Sequence, residues 1–210
     1  MQARGSKAFR IETQRLVLRC WDPADAGLMK DAIDTSLDHL RPWMPWAAAE
    51  PKPLAEKVDL LRLFRGSFDL GQDFVYGLFA ADESEVVGGA GLHTRVGEDG
   101  LEIGYWIRAS LAGQGLATEA TAALTKVAFE VANVDRVEIR VDPANERSLA
   151  IPRKLGYAEE ATLRRRLPPK EGEPGLRDVV VFSLFRDEYP QTPSAAAVLE
   201  AFDAAGARLL

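Results

Sequence analysis

Two glycines, a carboxylate and a serine carry the chemistry that can be read from this chain. In Ala112-Gly113-Gln114-Gly115-Leu116-Ala117-Thr118 the glycines free the backbone for tight turns and let it approach a ligand closely. Apolar residues then recur at Leu116, Ala120, Ala123, Leu124, Val127 and Val131, the spacing of a helix with one buried stripe. The turn therefore sits on a helix N-terminus, where unpaired N–H groups and the positive dipole end attract a pyrophosphate. Gly-x-Gly before a helix also opens dinucleotide folds and plain strand-to-helix connections, so its surroundings decide. Leu101 to Ile107 (LEIGYWI) leads in as a strand on which Glu102, Gly104 and Trp106 share one face. In an apolar setting Glu102 would have a raised pKa and suit a general base; the alternative is a solvated glutamate at a strand start.

The elements that must position these residues follow in order. Arg136 to Asp142 (RVEIRVD) is a strand, Asn145 is a helix N-cap and Gly156 a helix-ending glycine. Upstream, Arg15 to Trp21 is a strand and Asp22-Pro23 opens a helix. Pro53 to Leu70 is a helix with Leu54, Val58, Leu61, Phe64 and Phe68 on its stripe. Phe74 to Ala81 and Glu85 to His93 make a hairpin, with Gly88, Gly89 and Gly91 weakening the second strand or marking a bulge. Tyr157 to Arg164 and Asp178 to Phe185 close the sheet around a turn-rich loop at 168–175, and Pro193 to Leu210 carries apolar residues at helical spacing.

With these elements in place the chain resembles the GNAT acetyltransferase superfamily. That superfamily's loop, Q/R-x-x-G-x-G/A, reads here Ala112-x-x-Gly115-x-Ala117, and its later N-x-x-(A/S)…L-G-(F/Y) reads Asn145, Ser148 and Leu155-Gly156-Tyr157. Within it the chain is most similar to the RimJ/RimL branch, which acetylates protein N-termini. Thr13 to Arg19 (TQRLVLR), Leu40 to Trp46 (LRPWMPW), Glu102 to Trp106 (EIGYW) and Gly115 to Ala120 (GLATEA) carry that likeness.

The resemblance implies one α/β domain over 8–189, a mixed and strongly twisted sheet with helices on both faces, then a helical extension over 190–210. It implies acetyl-CoA as co-substrate and direct attack of a primary amine, most naturally a protein N-terminal α-amine, within a ternary complex. Gln114, Gly115, Leu116, Ala117 and Thr118 would hold the pyrophosphate, the strand edge at Tyr105, Trp106 and Ile107 the pantetheine, and Asn145 the neighbouring helix start. Ser148, one turn or about 4.5 Å beyond Asn145, is the candidate acid for the departing thiolate, a water relay being the alternative. His39, Trp43 and Trp46, with the loop at 168–175, would receive the acceptor; alternatively the tryptophans cap the core. Two departures stand out: Ala112 replaces the usual Gln or Arg, leaving the loop to backbone donors, and Pro152 replaces a common acid tyrosine. Pro152 also robs the Ser148 carbonyl of its helical partner.

An N-terminal amine, with a reference pKa of about 7.7 to 8, is substantially neutral near pH 7, whereas lysine at about 10.4 is not. A water with Glu102 would then suffice as base. Alternatives are a small-molecule amine (polyamine or antibiotic) acyltransferase, a longer acyl donor, or a silent acyl-CoA-binding regulatory module. A dinucleotide oxidoreductase is disfavoured, since Gly113-x-Gly115-x-x-Thr118 lacks the third glycine.

Composition agrees. At 210 residues and 47% hydrophobic content the chain buries one core. A net charge of -6 argues against nucleic acid and is compatible with a cationic acceptor. No apolar run reaches a membrane span and the first residues lack a signal-peptide core, so a cytoplasmic protein is expected. A single Cys20 excludes an internal disulfide, and with only His39 and His93 no zinc site is expected. His93 receives no role. The C-terminal segment is expected on its own domain, with docking in a homodimer as the alternative.

Overall fold

In a computed structural model the structure describes residues 8–170 and 174–210. Two short strands open the chain, β1 (Arg10–Glu12) and β2 (Leu16–Cys20). Asp22 then caps a 3-10 turn at Pro23–Asp25 through a capping box, and α1 (Ala26–Asp34) and α2 (Leu37–Leu40) follow. Next come α3 (Leu54–Asp69) and the hairpin of β3 (Phe74–Ala80) and β4 (Val86–His93), whose register shifts at Leu78/Phe79. The second half comprises β5 (Gly100–Ile107), α4 (Leu116–Glu130), β6 (Arg136–Val141), α5 (Glu146–Lys154), β7 (Ala158–Leu167), β8 (Arg177–Phe185) and β9 (Glu200–Phe202).

Among the described residues nine strands form one sheet in the order β7-β8-β6-β5-β4-β3-β2-β1-β9. Alternation along β2 separates its two faces. Leu16, Leu18 and Cys20 enter a core with the stripe of α4, while Val17 and Trp21 pack with Ala26, Met29, Ile33 and Leu61 of α1 and α3. Helices therefore cover both faces, as expected. Along α3, Leu61 and Phe68 are buried, but Leu54 is exposed and the fully buried residue Lys57 was not foreseen.

One pairing matters most. All neighbours are antiparallel except β5 and β6, which pair in parallel only from Gly100↔Arg136 to Ile103↔Ile139. Gly104 to Ile107 remain paired with β4, and Arg140 and Val141 with β8. The two strands thus part beyond Ile103, leaving one edge of Gly104–Ile107 without a strand partner among the described residues.

The helix expected over 190–210 does not form. Instead β9 adds to β1, with Ile11 opposite Ala201, which is fully buried. An unpaired edge at β1 gains backbone hydrogen bonds from this partner, whereas Pro193 and the left-handed Gly206 would interrupt a helix. The segment docks on its own domain, and Lys126 donates to the carbonyls of Ala195 and Ala197 at 3.1 Å each. The loop expected over 168–175 lies partly outside the described residues, at 171–173.

Candidate active site

The parted strands and the glycine turn meet at one end of α4. Gly113 and Gly115 both adopt φ of +81°, the left-handed region where a side chain is strained. A Cβ at Gly113 would meet nothing within 4 Å, so this turn is open on that side. Gly115 caps α4 without any side-chain cap, leaving the first-turn N–H groups of Leu116, Ala117 and Thr118 for a ligand.

A side chain that the sequence reading left out stands beside this loop. Arg15, from the turn between β1 and β2, donates to the Gln114 carbonyl at 2.9 Å and pairs with Glu119 at 2.6 Å. Glu119 also accepts from Thr13 Oγ1 at 2.7 Å. A guanidinium, half exposed, therefore stands beside the turn where Ala112 supplies none. The signal lay in TQRL and ATEA, but only the fold brings those segments together.

Across the opening, Asn145 caps α5 by accepting from the Ser148 N–H at 3.2 Å. The helix continues through Pro152, and the freed Ser148 carbonyl accepts instead from Tyr105 Oη at 3.4 Å. Burial pushes the Tyr105 phenol up to about 12, so it remains a donor throughout the neutral range. The Ser148 hydroxyl is half-buried and makes no hydrogen bond among the described residues. Tyr157, just after the left-handed Gly156, shares a hydrogen bond of 2.6 Å with Thr125 and so ties the end of α5 to α4.

On the face of β5 that carries Glu102, this carboxylate sits among charged groups rather than in an apolar setting. Glu102 is buried, but Arg95 grips both its oxygens and Arg140 lies 3.6 Å away. Glu102 in turn raises the Arg95 pKa through their hydrogen bond. The neighbouring Glu138 is paired with Arg136 and Arg140 at 2.9 and 3.0 Å. Opposite Glu102 in the ladder is His93, whose Nδ1 lies 3.0 and 2.9 Å from the two carboxylate oxygens of Asp73. Its ring leans along the sheet: a Cβ at Gly91 would fall 2.6 Å from Nε2 and one at Gly104 3.3 Å from it. Gly91 and Gly104 are cross-strand partners, so together they form the floor on which the imidazole lies.

Trp46 and Trp106 stand edge to face at 5.9 Å, which brings the acceptor segment to this same strand. Trp46 is exposed and Trp43 half-buried, with Lys170 4.4 Å above the Trp43 ring. The segment is clasped at its ends, where Arg41 donates to the Glu50 carbonyl at 2.9 Å and Glu50 pairs with the buried Lys57. His39 lies half-buried in α2, and its ring makes no hydrogen bond, ion pair or ring contact among the described residues. Among the described residues no group of three His, Cys, Asp or Glu could hold a metal ion, and no helix is long and apolar enough to cross a membrane.

A parted parallel strand pair leading through a glycine turn to an uncapped helix presents backbone donors that suit a phosphate-bearing ligand. The family model described as "Acetyltransferase (GNAT) domain" matches residues 15–158, and the chain belongs to that family. It is 28% identical over 184 residues to an uncharacterized N-acetyltransferase, p20, of Bacillus licheniformis, covering 85% of this chain and 97% of that one. It is also 28% identical over 156 residues to the [ribosomal protein uS5]-alanine N-acetyltransferase of Escherichia coli, covering 72% and 79%. Among solved structures, Mycobacterium smegmatis RimJ in complex with CoA-disulfide superposes with a TM-score of 0.74 at 24% identity, over 86% of each chain.

Proposed function

We propose that this chain transfers the acetyl group of acetyl-CoA to the α-amine of a protein N-terminus. One observation carries the reading: the free edge of Gly104–Ile107 runs directly into a left-handed glycine turn and an uncapped helix N-terminus. Trp46, in edge contact with Trp106, brings the expected acceptor segment to the same strand. Relatives named for ribosomal-protein N-acetyltransfer support a protein acceptor.

Acetyl-CoA supplies the activated acetyl thioester. The N–H groups of Leu116 to Thr118, with Arg15 beside them, bind and orient its pyrophosphate, and the edge of Tyr105 to Ile107 pairs with its amide groups. The hydroxyl of Ser148 protonates the sulfur as it leaves; its N–H is tied to Asn145 and its carbonyl to Tyr105. Glu102, locked to Arg95 and Arg140, shapes the charge at the acceptor end and leaves water relay as the route by which it would accept a proton.

The test is release of free coenzyme A from acetyl-CoA with short peptides that differ in their first residue, set against polyamines and aminoglycosides. Turnover of a free N-terminus, abolished when that terminus is already acetylated, is the expected result. Turnover of polyamines or aminoglycosides alone refutes a protein acceptor.

A further inference from the structure

We propose that His93, oriented by Asp73, is the catalytic base of this acetyl transfer, its Nε2 receiving the proton of the acceptor ammonium. The proposal rests on the acetyltransferase reading above and names the group that makes the amine nucleophilic.

Four observations meet at this ring. First, both oxygens of Asp73 lie within 3.0 Å of Nδ1, and a carboxylate only accepts, so Nδ1 carries the hydrogen and the neutral ring presents a lone pair at Nε2. Second, Nε2 makes no hydrogen bond among the described residues and overhangs Gly91 and Gly104. Two glycines facing each other inside a ladder weaken a sheet, and here they make room for the imidazole itself, which lies over them. Third, Gly104 is the first residue of β5 beyond its last rung with β6, so the imidazole over it stands where the strands part and the thioester is to be reached. Fourth, the rival carboxylate is occupied: Arg95 holds both oxygens of Glu102 and Arg140 stands 3.6 Å away.

The charged groups around the ring are Asp73 before β3, Glu102 opposite it on β5, and Arg95 two residues beyond it, with Arg140 of β6 behind Glu102. The Asp73 carboxylate holds an imidazolium once formed, while the arginines keep Glu102 from competing for the proton. An α-ammonium, with its reference pKa of about 7.7 to 8, gives up its proton far more readily than a lysine near 10.4.

The step balances as follows. An N–H bond of the ammonium breaks and a new one forms at Nε2, leaving a neutral amine. Its lone pair makes the C–N bond to the acetyl carbon as the C–S bond breaks, its electron pair leaving with sulfur. The second proton shed by nitrogen is delivered, through Ser148, to that sulfur, and the imidazolium returns its proton to solvent.

The experiment compares wild type with His93→Gln and Asp73→Asn, following coenzyme A release with an N-terminal alanine peptide from pH 6.5 to 9. A parallel melting measurement with acetyl-CoA reports folding and cofactor binding. His93→Gln is expected to lose about 10²-fold in kcat at pH 6.5. It should keep its acetyl-CoA melting shift and recover rate as alkaline pH supplies neutral amine. Asp73→Asn is expected to lose about tenfold with a displaced pH profile, as a partner that orients but no longer carries charge. A His93→Gln kcat within threefold of wild type across the range overturns the proposal. Should that variant not fold, a native rate and profile in Asp73→Asn overturns it. Wild-type turnover of polyamines alone refutes the N-terminal reading, and His93→Gln measured on the polyamine then decides the base. No turnover of any amine overturns both.

Discussion

Replacing Lys57 with methionine removes one partner of an ion pair whose side chains are 0% and 4% exposed. The Glu50 carboxylate keeps the Lys52 N–H at 2.8 Å but loses its one ion-pair partner among the described residues, deep within the clasp that ends the Trp43–Trp46 segment. Exposed pairs are worth about 0 to 1 kcal/mol, whereas breaking a buried pair costs about 3 to 5 kcal/mol because a charge is left uncompensated. At this chain length each kcal/mol moves the melting temperature by about 2–4 °C, so Lys57→Met should lower it by roughly 6–20 °C. The double variant Glu50→Leu/Lys57→Met, which removes both charges, should recover most of that loss. Urea unfolding of the four proteins gives the coupling energy, and coenzyme A release gives the acceptor KM. That KM should rise in Lys57→Met while acetyl-CoA affinity stays nearly unchanged. A single-variant cost below about 1 kcal/mol, or a double variant no better than the single, refutes the uncompensated-charge argument.

Acetyl-CoA at a hundredfold excess over its Kd should stabilise the protein by about 2.7 kcal/mol, or roughly 5–11 °C, and Gly115→Glu should abolish that shift by adding strain, bulk and negative charge to the turn. Ser148→Ala should lower kcat about 10²-fold at every pH, because protonating sulfur does not depend on the charge of the acceptor; an effect well under tenfold denies the role. Cys20 is buried, and burial pushes its thiol from 9.0 up to about 12, so above pH 9 the unfolded chain binds fewer protons than the folded one and stability falls. Its share of that loss is about 1.4 kcal/mol by pH 10, and denaturant melts of Cys20→Ala should show a correspondingly shallower decline between pH 8 and 10.

Periodicity and punctuation made the scaffold legible. The strand at Leu101–Ile107, the stripe of α4, the Asn145 cap and the glycine at 156 were all readable, because each is a local preference that the structure keeps. The glycine turn was legible for the same reason: φ of +81° at Gly113 and Gly115 is a property of residue type. The C-terminal segment went the other way. Its alanine-rich helical spacing was overruled by the open edge of β1, a partner nearly two hundred residues distant that no local window contains. Contacts of the site that span the sequence were equally invisible. Arg15 reaches Gln114 across |i−j| of 99, and Asp73 meets His93 across 20, bringing together residues that read separately as surface charges. Glu102 shows the limit most clearly. Its place on a strand face was determined by the period of two, but whether that face is apolar or lined with Arg95 and Arg140 depends on how β4, β5 and β6 align. Side-chain direction is local and survives in sequence, whereas the charges that meet a side chain are set by register between strands, which only the tertiary structure decides.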